Sequence, residues 1–166
     1  LLFSLFSTAA GASSEAVPSS AVSFTILHTN DFHGQLEEVL STSPADGSSS
    51  NPGMARVATI VNNVRAAVGA DRVLLVDGGD EMQGSLLSNL QQGVPTIEVF
   101  KKMGYNVATF GNHEFDWGQT VLAARTAQAA TVAPNTSAFP YVTANIVKKD
   151  GVDCASSGWT PPDFTT

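Results

Sequence analysis

The sequence is short of charge, of cysteine and of histidine. Only 14% of its 166 residues are charged, and 15 acids against 8 bases leave a net charge of −7. Nothing in that balance offsets phosphate repulsion, so the chain is a poor candidate for a binder of nucleic acid polymers or anionic membranes. A bound cation cluster would change this locally, because metal ions are often the largest charges in a site. The one cysteine, Cys154, excludes an internal disulfide; in a secreted protein an odd cysteine points to a partner outside the sequence. No segment approaches the ~18 apolar residues of a transmembrane helix. No Gly-Lys-Ser/Thr phosphate loop and no serine nucleophile elbow is present.

What is there suits an α/β domain. Hydrophobic residues make up 43%, enough for one domain with a sizeable core interrupted by a serine-rich tract. Leu1 to Phe6 is apolar, and Ala10-Gly11-Ala12 has the small-x-small form of a signal-peptidase site. Residues 1–12 therefore read as the rear of a secretory signal, 13–22 as a disordered mature N-terminus, and 23–166 as a partial domain. This predicts a secreted, periplasmic or cell-surface protein. Asn135-Thr136-Ser137 is a glycosylation sequon, meaningful only in a eukaryotic secretory route.

Hydrophobic patterning gives the order β-α-β-α-β-α-β. Val22 to His28 alternates and then turns apolar, as a strand entering a core does. Ser41 to Pro52 is a loop. Met54, Val57, Ala58, Val61, Val64 and Val68 mark one helical face, with Pro52-Gly53 before it and Gly69 after it. Arg72 to Val76 is a short buried strand, and Ser85 to Gln92 a helical turn or two. Pro95 to Met103 is a helix closed by Gly104, with Ile97, Val99, Phe100 and Met103 as contacts. Tyr105 to Phe110 is a strand, Gln119 to Ala130 a helix, and Pro140 to Val147 a further strand. Connections of this length normally lay helices over a sheet and gather the loops after the strands at one edge.

Three of those loops are unusually polar: Asn30-Asp31-Phe32-His33, Asp77-Gly78-Gly79-Asp80, and Gly111-Asn112-His113-Glu114-Phe115-Asp116-Trp117-Gly118. Asp31 and His33 stand two apart, so on an extended backbone both point the same way and could share a metal. Asp80 follows two glycines that let the backbone come close; its carboxylate could bridge two ions. Gly111 ends a strand and permits a tight turn. Asn112 offers a neutral carbonyl oxygen to a second cation. His113 could act as proton donor or charge stabiliser, oriented by Asp116 three residues on, while Glu114 and Phe115 read as structural. Each stretch alone also reads as ordinary structure: a turn aspartate, a buried histidine, a helix entry with Asp116 as its N-cap. Mixed oxygen and imidazole donors suit Zn²⁺, Mn²⁺, Fe or Mg²⁺. Two such ions ~3.5–4 Å apart could clamp a phosphoryl group and generate hydroxide at neutral pH.

In order and spacing, the stretches 26–34, 77–84 and 111–118 resemble the 5′-nucleotidase branch of the calcineurin-like metallophosphoesterases. Gly53-Met54-Ala55-Arg56 is similar to the start of that family's first helix, and Ala144-Asn145-Ile146 to a following strand. The resemblance covers about residues 24 to 147. It implies a four-layer α/β/β/α sandwich, of which this chain would be the N-terminal half. It implies two divalent metal ions, with Asp31 and His33 on the first, Asp80 bridging and Asn112 on the second. It makes His113 the residue that stabilises the transition state or protonates the leaving group, and Asp116 its partner. The implied activity is hydrolysis of phosphate esters, typically nucleoside 5′-monophosphates, also nucleotide sugars or 2′,3′-cyclic nucleotides.

The sequence departs from the family pattern in what it omits. The family completes its site with three further histidines, whereas this chain has only His28, His33 and His113, and His28 sits on a strand. The family's substrate-binding C-terminal domain is also missing. The expectation is therefore weak or no activity for these residues alone. A metal- or ligand-binding relative without catalysis, and a cyclic phosphodiesterase or other ester hydrolase on the same scaffold, stay open as alternatives.

Overall fold

A computed structural model describes residues 22–39, 51–144 and 146. The expected signal remnant at 1–12, the N-terminal stretch to 21, the serine-rich tract from 40 to 50, Asn145, Cys154 and the C-terminal stretch from 147 lie outside the described residues.

Three parallel strands, in the order β1-β2-β3, form the sheet: β1 is Thr25–Thr29, β2 is Val73–Asp77 and β3 is Val107–Ala108. Thr25 pairs with Val73 and Thr29 with Asp77, while Val76 pairs with Val107. The intervening helices are α1 (Gly53–Val68), the single turn α2 (Leu86–Asn89) and α3 (Val94–Met103), and α4 (Gly118–Ala130) follows β3. All three strands run the same way, so the segments that follow them meet at one edge of the sheet.

The core explains why these stretches fold as they do. Leu27, Leu75 and Ala108 face Met54 and Val61 of α1, Ile97 and Phe100 of α3, and Leu122 of α4 in one cluster. Phe100 stacks on Tyr105 at a centroid distance of 4.0 Å, and Phe110 on Tyr141 at 4.8 Å, so aromatic rings fill the space behind the functional edge. Gly104 ends α3 in the left-handed region (φ 71°), and the Tyr105 N–H donates to the Phe100 carbonyl, as a glycine-terminated helix does. Asn51 caps the start of α1 by accepting from the Gly53 N–H at 2.9 Å. Val68, expected on the buried face of α1, is exposed in its last turn.

The sheet's other face is open among the described residues. Ile26 and Leu74 are cross-strand partners on that face and are 55% and 39% exposed. Parallel strands are normally covered on both sides, and such an apolar face is what a second layer covers in an α/β/β/α sandwich.

Two strands are shorter than their sequence suggests. The Tyr105–Phe110 stretch pairs regularly only at Val107–Ala108, because Tyr105 folds back onto α3 and the side chain of Asn106 takes the Leu75 N–H at 2.8 Å in place of a backbone carbonyl. The strand expected from Pro140 is, among the described residues, one parallel bridge between Ala108 and Tyr141. A two-residue neighbour offers no more ladder to extend.

Candidate metal and phosphoryl site

The β1 and β2 exits are laced together by their backbones. The N–H groups of Asp31, His33 and Gly34 donate to the carbonyls of Gly79, Asp80 and Glu81 at 3.0, 2.9 and 2.8 Å. Asp31 (φ 51°), His33 (φ 52°) and Asp80 (φ 57°) all adopt the left-handed region, unusual for residues other than glycine and held here by those bonds. The extended backbone expected between Asp31 and His33 is therefore not formed. Spacing by two does not align side chains on a coiled segment.

The β2 and β3 exits touch backbone to backbone. A Cβ on Gly79 would lie 2.3 Å from the Gly111 nitrogen, and a Cβ on Gly111 would lie 2.2 Å from Asp80 Oδ1. Gly111 is needed for this closeness; it is not among the positive-φ positions, so the tight turn expected of it is not its function.

His33, Asp80 and His113 converge, each offering one ligand-capable atom within 4.8 Å of the others. This is the one such group of histidine and acidic side chains among the described residues. The His33 and His113 rings meet edge to face with centroids 5.2 Å apart. Asp80 is buried and accepts the His113 N–H on Oδ1 at 2.8 Å, leaving its other oxygen free of that bond. His33 Nδ1 lies 2.7 Å from the Gln83 carbonyl. A carbonyl only accepts, so Nδ1 carries the proton and Nε2 keeps its lone pair for a cation. A buried carboxylate beside an imidazole of fixed tautomer fits a divalent metal.

Asp31 and Asn112 stand at the exposed mouth of this edge. Asp31 is outside the convergent group, and its Oδ2 accepts from Asn30 Nδ2 at 2.6 Å. His113 Nδ1 lies 2.7 Å from Asp116 Oδ2. That bond, foremost, raises the His113 pKa above its ordinary 6.5. Asp116 is not the N-cap of α4: Trp117 holds that place without a side-chain bond, and Asp116 turns to the imidazole instead. His28 lies exposed on the open sheet face, and Asn135 of the sequon sits exposed in a turn with φ 59°.

Beneath this edge lies a layer of acids that sequence reading did not single out, apart from taking Glu114 as structural. Glu114 accepts the N–H groups of Asp80, Glu81 and Gly111 at 2.8, 3.1 and 2.7 Å. Glu81 accepts the Tyr141 hydroxyl, and burial holds its pKa well above the usual carboxylate range. Asp77 accepts the Thr29 hydroxyl and the Gly79 N–H, and burial pushes its pKa up to about 6. One signal was available: Gly111-x-x-Glu114 has the spacing at which a glutamate in a first helical turn reaches back to an N–H. Nothing in the sequence separates Glu81 from a surface acid.

No protein-family model matches the chain. Curated relatives do. It is 32% identical over 148 residues to the snake venom 5′-nucleotidase of Gloydius brevicauda, covering 89% of this chain and 24% of that protein. It is 34% identical over 140 residues to the 5′-nucleotidase of Bos taurus, covering 83% and 23%. It is 34% identical over 148 residues to a trifunctional nucleotide phosphoesterase of Bacillus subtilis, covering 85% and 9%. Among solved structures, the 5′-nucleotidase precursor of Thermus thermophilus superposes with a TM-score of 0.57 at 31% identity over 72% of this chain and 22% of its own. The NAD nucleotidase of Haemophilus influenzae gives 0.60 at 27% identity over 76% and 21%. The chain thus spans about a quarter or less of the length of these relatives. Over the residues it shares with them, the chain belongs to the 5′-nucleotidase branch of the metallophosphoesterases.

Proposed function

We propose that the chain contributes part of the active site of a metal-dependent phosphoric-ester hydrolase acting on nucleoside 5′-monophosphates or related nucleotides. The observation that carries this is the convergence of His33, Asp80 and His113 at one sheet edge, with His113 backed by Asp116. In this reading Asp31, His33, Asp80 and Asn112 would hold divalent metal. Bound ions of this kind supply Lewis acidity, neutralising phosphoryl charge and activating water.

The chain's own residues have divided tasks. The Gln83 carbonyl keeps the His33 proton on Nδ1 and its lone pair on Nε2. The His113 N–H holds Asp80 in place. Asp116 favours the protonated form of His113, the form that would offer an N–H to a developing charge or a departing alkoxide. Phosphoryl transfer needs positioning and charge neutralisation more than covalent chemistry. Residues 1–12 act as a secretory signal and 23–166 form part of the metallophosphoesterase domain, giving a secreted, periplasmic or surface protein. Relatives from snake venom support that location. No helix among the described residues is long and apolar enough to cross a membrane.

The full-length protein is expected to release phosphate from adenosine 5′-monophosphate only with divalent metal. Release that survived exhaustive chelation, or that persisted at wild-type rate in Asp80→Ala, would sink the reading. The trifunctional Bacillus subtilis relative favours a broader substrate range as the second reading. A panel of 5′-monophosphates, nucleotide sugars and 2′,3′-cyclic nucleotides separates the two.

A further inference from the structure

Glu114 is 1% exposed and is not placed to reach a substrate. Its carboxylate nevertheless binds the backbone on both sides of the convergent group's aspartate. Oε2 accepts from Asp80 N–H at 2.8 Å and from Gly111 N–H at 2.7 Å, and Oε1 accepts from Glu81 N–H at 3.1 Å. One side chain therefore ties the β2 exit to the β3 exit at their point of closest approach, where Gly79 and Gly111 leave no room for a Cβ. The tie is reciprocal. Glu114 holds the backbone of Asp80, and the Asp80 carboxylate in turn holds the backbone of His113, one residue before Glu114.

Asp80 needs such a hold. Its φ of 57° is a conformation that an L-residue keeps only when its surroundings over-determine it. Its carbonyl is engaged by the His33 N–H, its N–H by Glu114 and its Oδ1 by the His113 N–H. Of these three restraints, Glu114 is the one supplied by a side chain, and it also bonds the residues on either side of the gap. Three N–H groups on one buried carboxylate form a rigid knot, because charge-assisted bonds are short and directional.

We propose that Glu114 is the positioning residue for the Asp80 carboxylate: by clamping the N–H groups of Asp80, Glu81 and Gly111 it sets the geometry with which Asp80 and His33 meet a cation, with His113 held beside them. This rests on the metal-binding reading of the site. It departs from a purely structural role in one measurable respect. A structural residue changes how many molecules are folded, whereas a positioning residue changes how tightly each folded molecule holds the ion.

The test uses the full-length protein with Mn²⁺ as the probe. Glu114→Gln keeps the shape but turns an NH₂ toward the backbone donors. In metal-free protein, amide hydrogen exchange at Asp80, Glu81 and Gly111 should accelerate while the helices stay protected. Mn²⁺ affinity per folded molecule, read by the free-ion electron paramagnetic resonance signal, should fall about 10- to 100-fold, as it does when outer-shell partners of metal ligands are removed. Glu114→Asp, which keeps both oxygens but shortens their reach, should fall between. Wild-type affinity in the Gln variant, with protection at the three amides lost, overturns the proposal. Should the Gln variant not fold, the same comparison is made on the Asp variant, where unchanged Mn²⁺ affinity with lost protection again overturns it. Wild-type full-length protein that takes up no Mn²⁺ overturns the metal reading itself and this inference with it. Mn²⁺ uptake that is indifferent to Glu114 overturns the positioning role alone.

Discussion

Asp77, Glu81 and Glu114 are 4%, 0% and 1% exposed, whereas Asp31 and Asp116, at the same sheet edge, face solvent. The two sets differ in what they bind. The buried acids accept from backbone N–H groups and hydroxyls: Glu114 from three amides, Asp77 from Thr29 and Gly79, Glu81 from Tyr141. The exposed acids engage polar side chains of the site itself, Asp116 the His113 imidazole and Asp31 the Asn30 amide. Asp80 belongs to both, buried by its neighbours yet part of the convergent group. An acidic chain can thus divide its carboxylates, the lower layer fixing three strand exits in register and the upper layer left for the proposed chemistry. If the division is real, substitutions in the two layers must separate stability from activity.

The largest expected effect is on the exposed layer. Asp116→Asn in the full-length protein should slow phosphate release by about 10²- to 10⁴-fold, the range of a general acid–base contribution. Its unfolding free energy should move by no more than about 0.5 kcal/mol, as for other surface substitutions. The same variant tests the sign of the His113 shift. Asp116 raises the folded pKa, so the charged pair stabilises fully below the ordinary imidazole value and is lost as pH rises through the folded value. Nuclear magnetic resonance titration of metal-free protein should show the His113 midpoint fall in Asp116→Asn. An unmoved midpoint would break the pairing.

The buried layer should show first in stability. Glu114→Ala strands three buried N–H groups, at about 1–3 kcal/mol each, so urea unfolding should register a loss of at least about 3 kcal/mol. A loss under 1 kcal/mol would place Glu114 with the surface acids. Asp77 gives the layer a pH signature. Burial raises its folded pKa from 3.8 to about 6, so folded protein holds its proton over a range where unfolded chain releases it. Stability should be full below the ordinary carboxylate value and fall as pH rises toward 6, by on the order of 3 kcal/mol. Glu81 is raised too and acts in the same direction. Asp77→Asn should flatten part of that slope. The smallest effect expected is Tyr141→Phe, which strips the hydroxyl from Glu81 Oε1 when Oε2 already lacks a partner, at about 1–2 kcal/mol in a thermal melt.

How much of this was legible in the sequence follows the same division. The upper layer was visible because Asp-x-His, Gly-Gly-Asp and Asn-His each follow an apolar run, where polar side chains have no core to fill. The strands, α1 and α3 were visible through their apolar residues, and α4 through its alanine content. The lower layer was not, because burial of an acid depends on which backbone donors the fold brings to it. The left-handed backbone of Asp31 and His33 was hidden for a related reason: it is imposed by bonds to residues 79 and 80, 47 or more positions away. The shortness of the third strand likewise depends on Asn106 substituting for a backbone carbonyl, a choice no local pattern reveals.

Anomalous diffraction at the manganese edge, from crystals grown or soaked with Mn²⁺, tests the central assignment most directly. The account predicts density within coordination distance of Asp80 and His33 at the shared exit of β1 and β2. A fully occupied Mn²⁺ elsewhere on the chain, with Asp80 and His33 bare, would contradict it.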